Sequence, residues 1–378
     1  MPESPRFVDL VQIRLDEFLA ERGGQLRAIS PDLDVVDECA QRLLAGGKRF
    51  RALFCYWGWR AVTAHSTEFD PLGGLLDHSD DLDADLAAVV SIAAGLEVFH
   101  ASALVHDDIM DNSDQRRGQP SVHRAFAILH GERGWDGPAD SFGTATALLL
   151  GDLLLGWSDE LVDDGVSIAG NANAGRAARV EFNQMRTEVT AGQYLDVFEE
   201  RAWRARPESE LLSRAQRVIV YKSAKYSVEA PLAIGGSLAD GSLAQIAALR
   251  DFGLPLGIAF QLRDDLLGVF GDPAVTGKPA GDDLREGKRT VLITLARQKL
   301  PASAARVFDE LLGDRSLDAD QVAMLQTAVR ESGAVDHVER VIAHHVEQAR
   351  GALADAPLAR SAREELTALA DAVTRRTS

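Results

Sequence analysis

"LAAVVSIAAGLEVFHASALVHDDIMDNSDQRRG", residues 86–118, joins an almost wholly apolar segment to a crowd of carboxylates and arginines. Its apolar residues recur at three- and four-residue spacings, which predicts a buried helix over 85–110. Asp107 and Asp111 lie four residues apart and would share one face of that helix, with Asp108 beside them. Carboxylates this close repel one another, and a hard divalent cation is the best counter-charge for them. The stretch therefore predicts a metal-binding helix end, with a solvated helix terminus as the alternative.

A second acid pair, Asp264 and Asp265 in FQLRDDLLGVFGD, lies near the end of another apolar helix predicted over 242–270. The third acid of a DDxxD pattern would fall at position 268, where this chain has Gly268 instead. That departure leaves the metal ligands of the second pair less defined than those of the first. Further acids follow along the chain at Asp272, Asp282 and Asp283.

Basic residues are concentrated at two places in a chain whose formal net charge is -18. Arg116 and Arg117 follow the first acid cluster, and GGKRFR at 46–51 contains Lys48 and Arg51. Planar guanidinium groups are natural partners of phosphate oxygens. Two acid clusters for metal and two basic clusters for phosphate predict two phosphorylated substrates, or one large one.

The rest of the sequence is dominated by helical signals, and no segment shows the sustained alternation of a strand. An all-α fold is therefore predicted. Its longest breaks are predicted at 66–85, 130–140 and 270–288. The last of these keeps many Lys, Asp and Gly residues and is interpreted as either a flexible connector or a lid over the substrate.

Bulk composition excludes several classes of protein. The acidic charge argues against a general affinity for nucleic acid or anionic membranes. The N-terminus lacks the features of a signal peptide, and Glu97, His100 and Asp152 interrupt the apolar stretches before they reach membrane-spanning length, so no transmembrane segment is expected. The two cysteines form no CxxC pair, which excludes a structural zinc site and predicts a cytoplasmic protein.

Five motifs in a fixed order carry a resemblance to a known family. They are GGKRFR (46–51), HASALVHDDIMDNSDQRRG (100–118), YKSAKYS (221–227), FQLRDDLLGVFGD (260–272) and GKPAGDDLREGKRT (277–290). In this order and content the chain resembles the trans-isoprenyl diphosphate synthases, the polyprenyl synthetase family, and most of all its bacterial geranylgeranyl diphosphate synthases. The motif-bearing core spans about residues 35–300, within one polyprenyl synthetase domain over 1–378.

The resemblance implies the isoprenoid synthase fold, an antiparallel helical bundle around a central cavity, assembled as a homodimer. It implies isopentenyl diphosphate and an allylic prenyl diphosphate as substrates, with three Mg²⁺ ions in each active site. The residues that match the metal-binding positions are Asp107, Asp108, Asp111, Asp264 and Asp265. Those that match the isopentenyl diphosphate site are Lys48, Arg51, His100 and Arg117. Those that match the rest of the substrate site, chiefly the allylic diphosphate, are Arg116, Lys222, Ser223, Gln261, Lys278 and Lys288.

The reaction implied by the family breaks an allylic carbon–oxygen bond and forms a carbon–carbon bond. The set expected to act directly is Asp107, Asp111, Arg116, Lys222, Asp264 and Lys278. Bound metal and cations would neutralise the departing diphosphate, and a closed apolar cavity would keep water from the allylic cation. The departing diphosphate itself is expected to accept the proton.

Product length is predicted from the helix that precedes Asp107. One helical turn rises 5.4 Å, close to one isoprene unit, so side chains one and two turns back can limit the growing tail. Ser102 and Ala103 are small and would leave the pocket open, whereas the bulky Phe99 could close it. This pattern favours geranylgeranyl diphosphate as the product.

Alternative functions remain open at this stage. Within the family they are a synthase for longer polyprenyl chains, or for farnesyl diphosphate. A terpene cyclase also uses DDxxD, but it would not need the second diphosphate site at Lys48, Arg51 and Arg117. A non-catalytic synthase subunit would be expected to lose acids that this chain retains.

Overall fold

The computed structural model describes residues 3–68, 79–272 and 281–374, and these are almost entirely helical. The α-helices are α1 (Glu3–Ile29), α2 (Asp34–Leu44), α3 (Phe50–Glu68), α4 (Ser79–Met110), α5 (Val122–Arg133), α6 (Ala139–Ile168), α7 (Ala172–Ala202), α8 (Glu208–Val218), α9 (Ala230–Leu238), α10 (Leu243–Phe270), α11 (Asp282–Glu286), α12 (Val291–Lys299), α13 (Ala302–Leu311), α14 (Ala319–Glu331), α15 (Ala334–Ala354) and α16 (Arg360–Thr374). Short 3₁₀ turns cover Pro31–Leu33 and Trp203–Ala205. The all-α prediction is confirmed.

Helix α4 is the central element of the larger hydrophobic core. It packs along α6, and both helices bury rows of large aliphatic side chains at their contact. Ile92 and Leu96 of α4, with Leu150 and Leu154 of α6, are at most 1% exposed. Burial of one such side chain stabilises a fold by about 1.5–3 kcal/mol, so this packing fixes the position of α4. The acidic end of α4 is therefore positioned by the buried apolar part of the same helix.

The helix predicted over 208–235 is continuous but changes its hydrogen-bond register. Between α8 and α9 runs a π-helix, Ile219–Glu229, which is wider than an α-helix. Two glycines of neighbouring helices make room for it. A Cβ at Gly192 of α7 would lie 2.3 Å from the Lys222 nitrogen, and one at Gly257 of α10 would lie 2.5 Å from the Ala224 carbonyl oxygen. The two glycines therefore let α7 and α10 approach the backbone of the π-helix.

Helix α10 connects the larger core to a smaller second core in the C-terminal half. Ser242 begins α10 with a capping box to Gln245, which satisfies free backbone groups of the first turn. Leu256 then packs in the larger core, whereas Leu262 and Leu266 pack in the smaller one with α12 to α15. Asp264 and Asp265 lie where α10 passes into the smaller core.

The predicted breaks are partly corrected. Helix α4 begins at Ser79, inside the loop predicted over 66–85, and α11 lies inside the loop predicted over 270–288. A hairpin of two-residue strands, β1 (Gln115–Arg116) and β2 (Gln119–Pro120), pairs antiparallel directly after the first acid cluster. The five-residue helix α11 and the two-residue strands are too short to show a periodic pattern in the sequence.

Two described helices are long and apolar enough to cross a membrane by length and composition alone, Ala84–Met110 and Leu243–Phe270. In the first, 83% of the most apolar window is buried inside the protein, and in the second 39%. Core helices of soluble proteins have the same length and hydropathy.

Candidate active site

The first acid of α4, Asp107, lies against residues of α7 and the π-helix. Lys222 Nζ is 3.0 Å from Asp107 Oδ1, and Gln193 donates a hydrogen bond of 2.9 Å to the same oxygen. Lys222 also pairs with Asp196 at 2.5 Å. Burial alone would raise the pKa of Asp107, but Lys222, Lys288 and Arg116 outweigh it and hold that pKa well below its usual range. Asp107 is therefore a partly buried carboxylate that stays ionised.

Asp108 is engaged by the hairpin that follows α4. Arg116 Nε donates to both carboxylate oxygens at 3.1 and 3.2 Å, and Arg116 Nη2 lies 2.5 Å from Asp108 Oδ1. Arg116 also lies 3.6 Å from Asp107. This bidentate geometry fixes the guanidinium group beside the acid cluster.

Asp111, one turn further, is paired with Lys288, which follows α11. The Lys288 Nζ lies 2.9 Å from Asp111 Oδ2 and 3.1 Å from Glu286. Burial raises the pKa of Asp111, and the attraction of Lys288 only partly offsets it. Arg315 donates to the carbonyl oxygens of Asp111 and Asn112, which anchors the end of α4 to the C-terminal half.

The second acid pair lies on α10, and Lys288 links it electrostatically to the first. Gln261 donates a hydrogen bond of 2.8 Å to Asp265 Oδ1. Burial, together with the charges of Asp283 and Asp264, raises the pKa of Asp265 to about 8. Lys288 has a pKa well above its usual range because Asp111, Glu286, Asp107 and Asp283 outweigh its burial. A single lysine thus interacts with carboxylates of both acid motifs.

Two of the predicted isopentenyl diphosphate residues, His100 and Arg51, contact Tyr226 of the π-helix. His100 Nδ1 lies 2.6 Å from the Tyr226 hydroxyl, and the Arg51 guanidinium lies 4.4 Å from the centre of the Tyr226 ring. Arg51 also donates to Ser227 at 2.9 Å. Burial and the charges of Arg51 and Arg117 lower the pKa of His100 well below its usual value, which keeps the imidazole neutral.

Arg117 lies at the turn of the hairpin with φ +53°. Partial burial and the nearby guanidinium groups of Arg116 and Arg49 lower its pKa, as expected in an electropositive pocket. Arg49, from the same GGKRFR motif as Arg51, instead pairs with buried Glu97 at 3.4 Å. The motif therefore divides into a structural arginine and one that faces the candidate site. Lys48 lies beside Phe50, with its ammonium 6.0 Å from that ring.

Other predicted residues fall in different surroundings. Ser223 follows Lys222 on the π-helix and is half-buried. Lys278 lies outside the described residues. Phe99 packs edge to face against Phe182 and Tyr226, with ring centroids 6.0 and 5.8 Å away.

The two small residues predicted to leave the pocket open differ in their surroundings. Ser102 is buried and donates its hydroxyl to the carbonyl oxygen of Gly151 on α6, at 2.8 Å. Its side chain is therefore held by the α4–α6 contact. Ala103 is half-buried.

Sequence reasoning missed three residues of this region. Tyr226 carries the contacts to His100 and Arg51, and its position in YKSAKYS, four residues after Lys222, was the available signal. Glu286 accepts from Ser113 at 2.6 Å and holds Lys288. Arg315, beyond the motif-bearing core, had no signal in the sequence.

The donor set fits a hard divalent cation, although the side chains are not gathered around one point. In residues 3–68, 79–272 and 281–374, no group of three or more His, Cys, Asp or Glu side chains is arranged to hold a metal ion. Among these same residues, however, neither carboxylate oxygen of Asp111 has a hydrogen bond of good geometry despite its ion pair, and Asp265 Oδ2 is also without one. Buried carboxylate oxygens with spare capacity suit Mg²⁺, which prefers oxygen ligands and keeps several waters.

Two acid clusters on apolar helices, linked electrostatically by Lys288 and flanked by arginines, are the arrangement expected of a helical enzyme that handles diphosphates. Residues 34–329 match the model of the polyprenyl synthetase family. The chain belongs to this family and is a trans-prenyltransferase. The matched range extends beyond the motif-bearing core and includes Arg315.

Individual relatives agree with the family assignment. The chain is 32% identical over 327 residues to geranylfarnesyl diphosphate synthase of Aeropyrum pernix, covering 85% of this chain and 87% of that protein. It is 30% identical to geranylgeranyl diphosphate synthase of Mycobacterium tuberculosis, covering 72% and 70%. The structure of geranylgeranyl pyrophosphate synthase from Corynebacterium glutamicum, complexed with isoprenyl diphosphate and magnesium, superposes with a TM-score of 0.87 at 37% identity, covering 98% of this chain and 99% of that one.

Proposed function

We propose that this enzyme condenses isopentenyl diphosphate head-to-tail with an allylic diphosphate, in a Mg²⁺-dependent reaction that ends at geranylgeranyl diphosphate. The observation that carries the proposal is the pairing of Asp107 with Lys222 and of Asp111 with Lys288 at the end of an apolar helix. Carboxylates for metal and cations for phosphate are here in contact. The family membership supports the same reaction.

The acids are proposed to hold the metal, and the lysines to hold the allylic diphosphate. Asp107, Asp111 and Asp264 are the proposed ligands, with Asp108 and Asp265 beside them. Bound Mg²⁺, by family resemblance three ions, would supply charge neutralisation of the diphosphate. Lys222 and Lys288, released from their aspartates, would turn to the phosphate oxygens. Arg116, fixed by Asp108, would contribute a preorganised guanidinium group.

The second diphosphate is proposed to bind between Arg51, Arg117, His100 and Lys48. His100 is neutral and hydrogen-bonded to Tyr226, so it can donate one N–H to a phosphate oxygen without adding charge. The Arg51 guanidinium group stacks on the Tyr226 ring and donates a hydrogen bond to Ser227, and these two contacts fix its orientation. This second anion site argues against the terpene cyclase alternative.

Phe99 is the proposed floor of the hydrocarbon pocket. It lies eight residues before Asp107, about 12 Å along a helix that rises 1.5 Å per residue. Its contacts with Phe182 and Tyr226 brace the ring from two neighbouring helices. Ser102 is held against α6 and Ala103 is small, which supports a pocket open at the first turn and closed at Phe99.

Incubation of the purified protein with Mg²⁺, isopentenyl diphosphate and each of dimethylallyl, geranyl and farnesyl diphosphate tests the proposal. Geranylgeranyl diphosphate is expected as the main product, and EDTA is expected to stop its formation. Phe99→Ala should lengthen the product, whereas Phe126→Ala, a buried phenylalanine of α5, should leave the length unchanged. An unaltered product from Phe99→Ala would contradict this floor, and products beyond twenty carbons from the unaltered enzyme would favour the longer-chain alternative.

The active unit is proposed to be a cytoplasmic homodimer in which residues 1–378 form one domain. Leu148 and Leu149 of α6 are 48% and 68% exposed, and Ile128 of neighbouring α5 is 50% exposed. Exposed aliphatic side chains on two packed helices support the proposal of an interface at this face. The unbridged, buried Cys39 and Cys55 support a reducing compartment. Light scattering should give a dimer for the unaltered protein and a smaller mass for Leu149→Glu.

A further inference from the structure

The second acid motif lacks its third carboxylate at Gly268, and the structure has another carboxylate in that place. Residue 268 lies four positions after Asp264, on the same face of α10. A Cβ built on Gly268 would lie 2.0 Å from Asp283 Oδ2 and 2.4 Å from Asp283 Cγ. The carboxylate of Asp283 therefore occupies the space that a side chain at position 268 would fill.

The local backbone explains how Asp283 reaches this point. Helix α11 lies between Gly281 and Gly287, whose φ angles of +71° and +81° are left-handed. The Asp283 carbonyl oxygen accepts from the backbone nitrogens of Gly287 and Lys288, both at 3.1 Å. One compact turn thus presents Asp283 to the second motif and Lys288 to Asp111.

A second feature of this region points to a cation. Asp265 lies three residues before Gly268, so the two are neighbours on the helix surface. Its side chain is 4% exposed, and among the described residues Asp265 Oδ2 has no hydrogen-bond partner. A buried acceptor of this kind is costly unless a ligand satisfies it.

We infer that Asp283 supplies the third carboxylate of the second metal-binding motif, replacing from α11 the acid that α10 lacks. The inference rests on the proposed Mg²⁺-dependent function and deepens it. Asp283 would hold a divalent cation carrying diphosphate, directly or through a metal-bound water. Gly268 is then required because any side chain there would displace Asp283.

The test measures metal binding rather than turnover. Mn²⁺ is an oxygen-seeking substitute for Mg²⁺, and its unbound fraction can be counted by electron paramagnetic resonance in the presence of saturating inorganic diphosphate. Asp283→Asn is expected to weaken Mn²⁺ binding by about 10- to 100-fold, the range typical of groups that support a metal site. Asp282→Asn is the matched control, with the same charge change one residue away, and is expected to bind as the unaltered protein does.

Two further variants separate position from charge. Gly268→Ala should weaken Mn²⁺ binding as Asp283→Asn does, because the added methyl group displaces the Asp283 carboxylate. The double change Gly268→Asp with Asp283→Ala returns the acid to α10 and should restore binding. Circular dichroism should show the same helical content in every variant.

The outcomes distinguish this inference from the function on which it rests. Equal Mn²⁺ binding by the Asp283→Asn and Asp282→Asn variants would overturn the role of Asp283 while leaving the enzyme's metal dependence intact. Failure of the unaltered protein itself to bind Mn²⁺ with diphosphate would overturn both. Asp107→Asn, which should lose binding whatever the role of Asp283, serves as the reference for a damaged metal site.

Discussion

The two acid motifs differ in how their charges are assembled. The first is carried by one helix, and each of its acids is paired with a cation from another element: Asp107 with Lys222, Asp108 with Arg116 and Asp111 with Lys288. The second motif has two acids, Asp264 and Asp265, and the carboxylate of Asp283 reaches it from α11. The comparison shows that the spacing of acids along one helix reveals only part of a charge cluster, because a neighbouring segment of the chain can place a further carboxylate beside it.

The largest expected effect comes from removing an acid of the first motif. Asp107→Asn should lower kcat by about 1,000-fold or more, because a proposed metal ligand is lost and Lys222 keeps only Asp196 as a strong partner. Asp264→Asn should give a loss of the same order if the two motifs are equal partners. Steady-state assays with Mg²⁺ measure both. Asp114→Asn, an exposed acid paired with Arg124, is the control, and a similar loss there would point to general damage.

The next effect tests the cations that distinguish the first motif. Lys222→Gln should lower kcat/KM by about 100-fold and reduce the free energy of unfolding by about 3 kcal/mol, the lower end of the range for a buried pair, since it leaves the partly buried Asp107 without its lysine. Lys225→Gln, on the same π-helix as Lys222, removes an ion pair with Glu188 of α7 and should change activity little. Kinetics and urea unfolding give the two quantities. Full activity without Lys222 would mean that its ion pair is only structural.

A smaller effect is expected at the anchor of the first motif. Arg315→Ala frees the carbonyl oxygens at the end of α4, so the apparent Mg²⁺ affinity should fall by about 10-fold with little change in kcat at saturating metal. Titration of activity against Mg²⁺ measures this split. Arg360→Ala, which changes an exposed arginine, is the control and should leave the Mg²⁺ titration unchanged. An unchanged titration for Arg315→Ala as well would show that its contacts with the carbonyl oxygens do not position Asp111.

The smallest effect is a pH dependence. Burial and the nearby carboxylates of Asp196 and Asp111 raise the pKa of Glu200 from 4.5 to about 7. Because the folded protein holds this proton more tightly, the contribution to stability is complete below pH 4.5 and is lost as the pH rises through about 7. Between pH 4.5 and 7 the free energy of unfolding should fall with rising pH in the unaltered protein. In Glu200→Gln this fall should be smaller by about 1–2 kcal/mol, a value reduced because Glu200 is only partly buried. Urea unfolding at several pH values measures it, and identical slopes would contradict the shifted pKa.

Much of the site could be predicted because helical spacing and motif order are local properties. Asp107, Asp111 and Lys222 were expected at one site: Lys222 contacts Asp107, and Lys288, which pairs with Asp111, also acts electrostatically on Asp107. The role of Gly268 was not predictable, because its empty space has meaning only once α11 packs against α10. Tyr226 lies in the YKSAKYS motif, but its contact with His100 depends on how the π-helix packs against α4, which the motif alone does not give.

The glycines that flank the π-helix have a consequence for how this enzyme can change over generations. The reach of the hydrocarbon tail is proposed to depend on one side chain, Phe99, which can be exchanged without moving backbone. The positions of Lys222 and Tyr226 depend instead on the close approach of α7 and α10 to the π-helix at Gly192 and Gly257. A side chain at either glycine would clash with the backbone of the π-helix and displace it. If Phe99 sets the product length as proposed, substitutions there can change the length of the product while the backbone that positions Lys222 and Tyr226 stays the same.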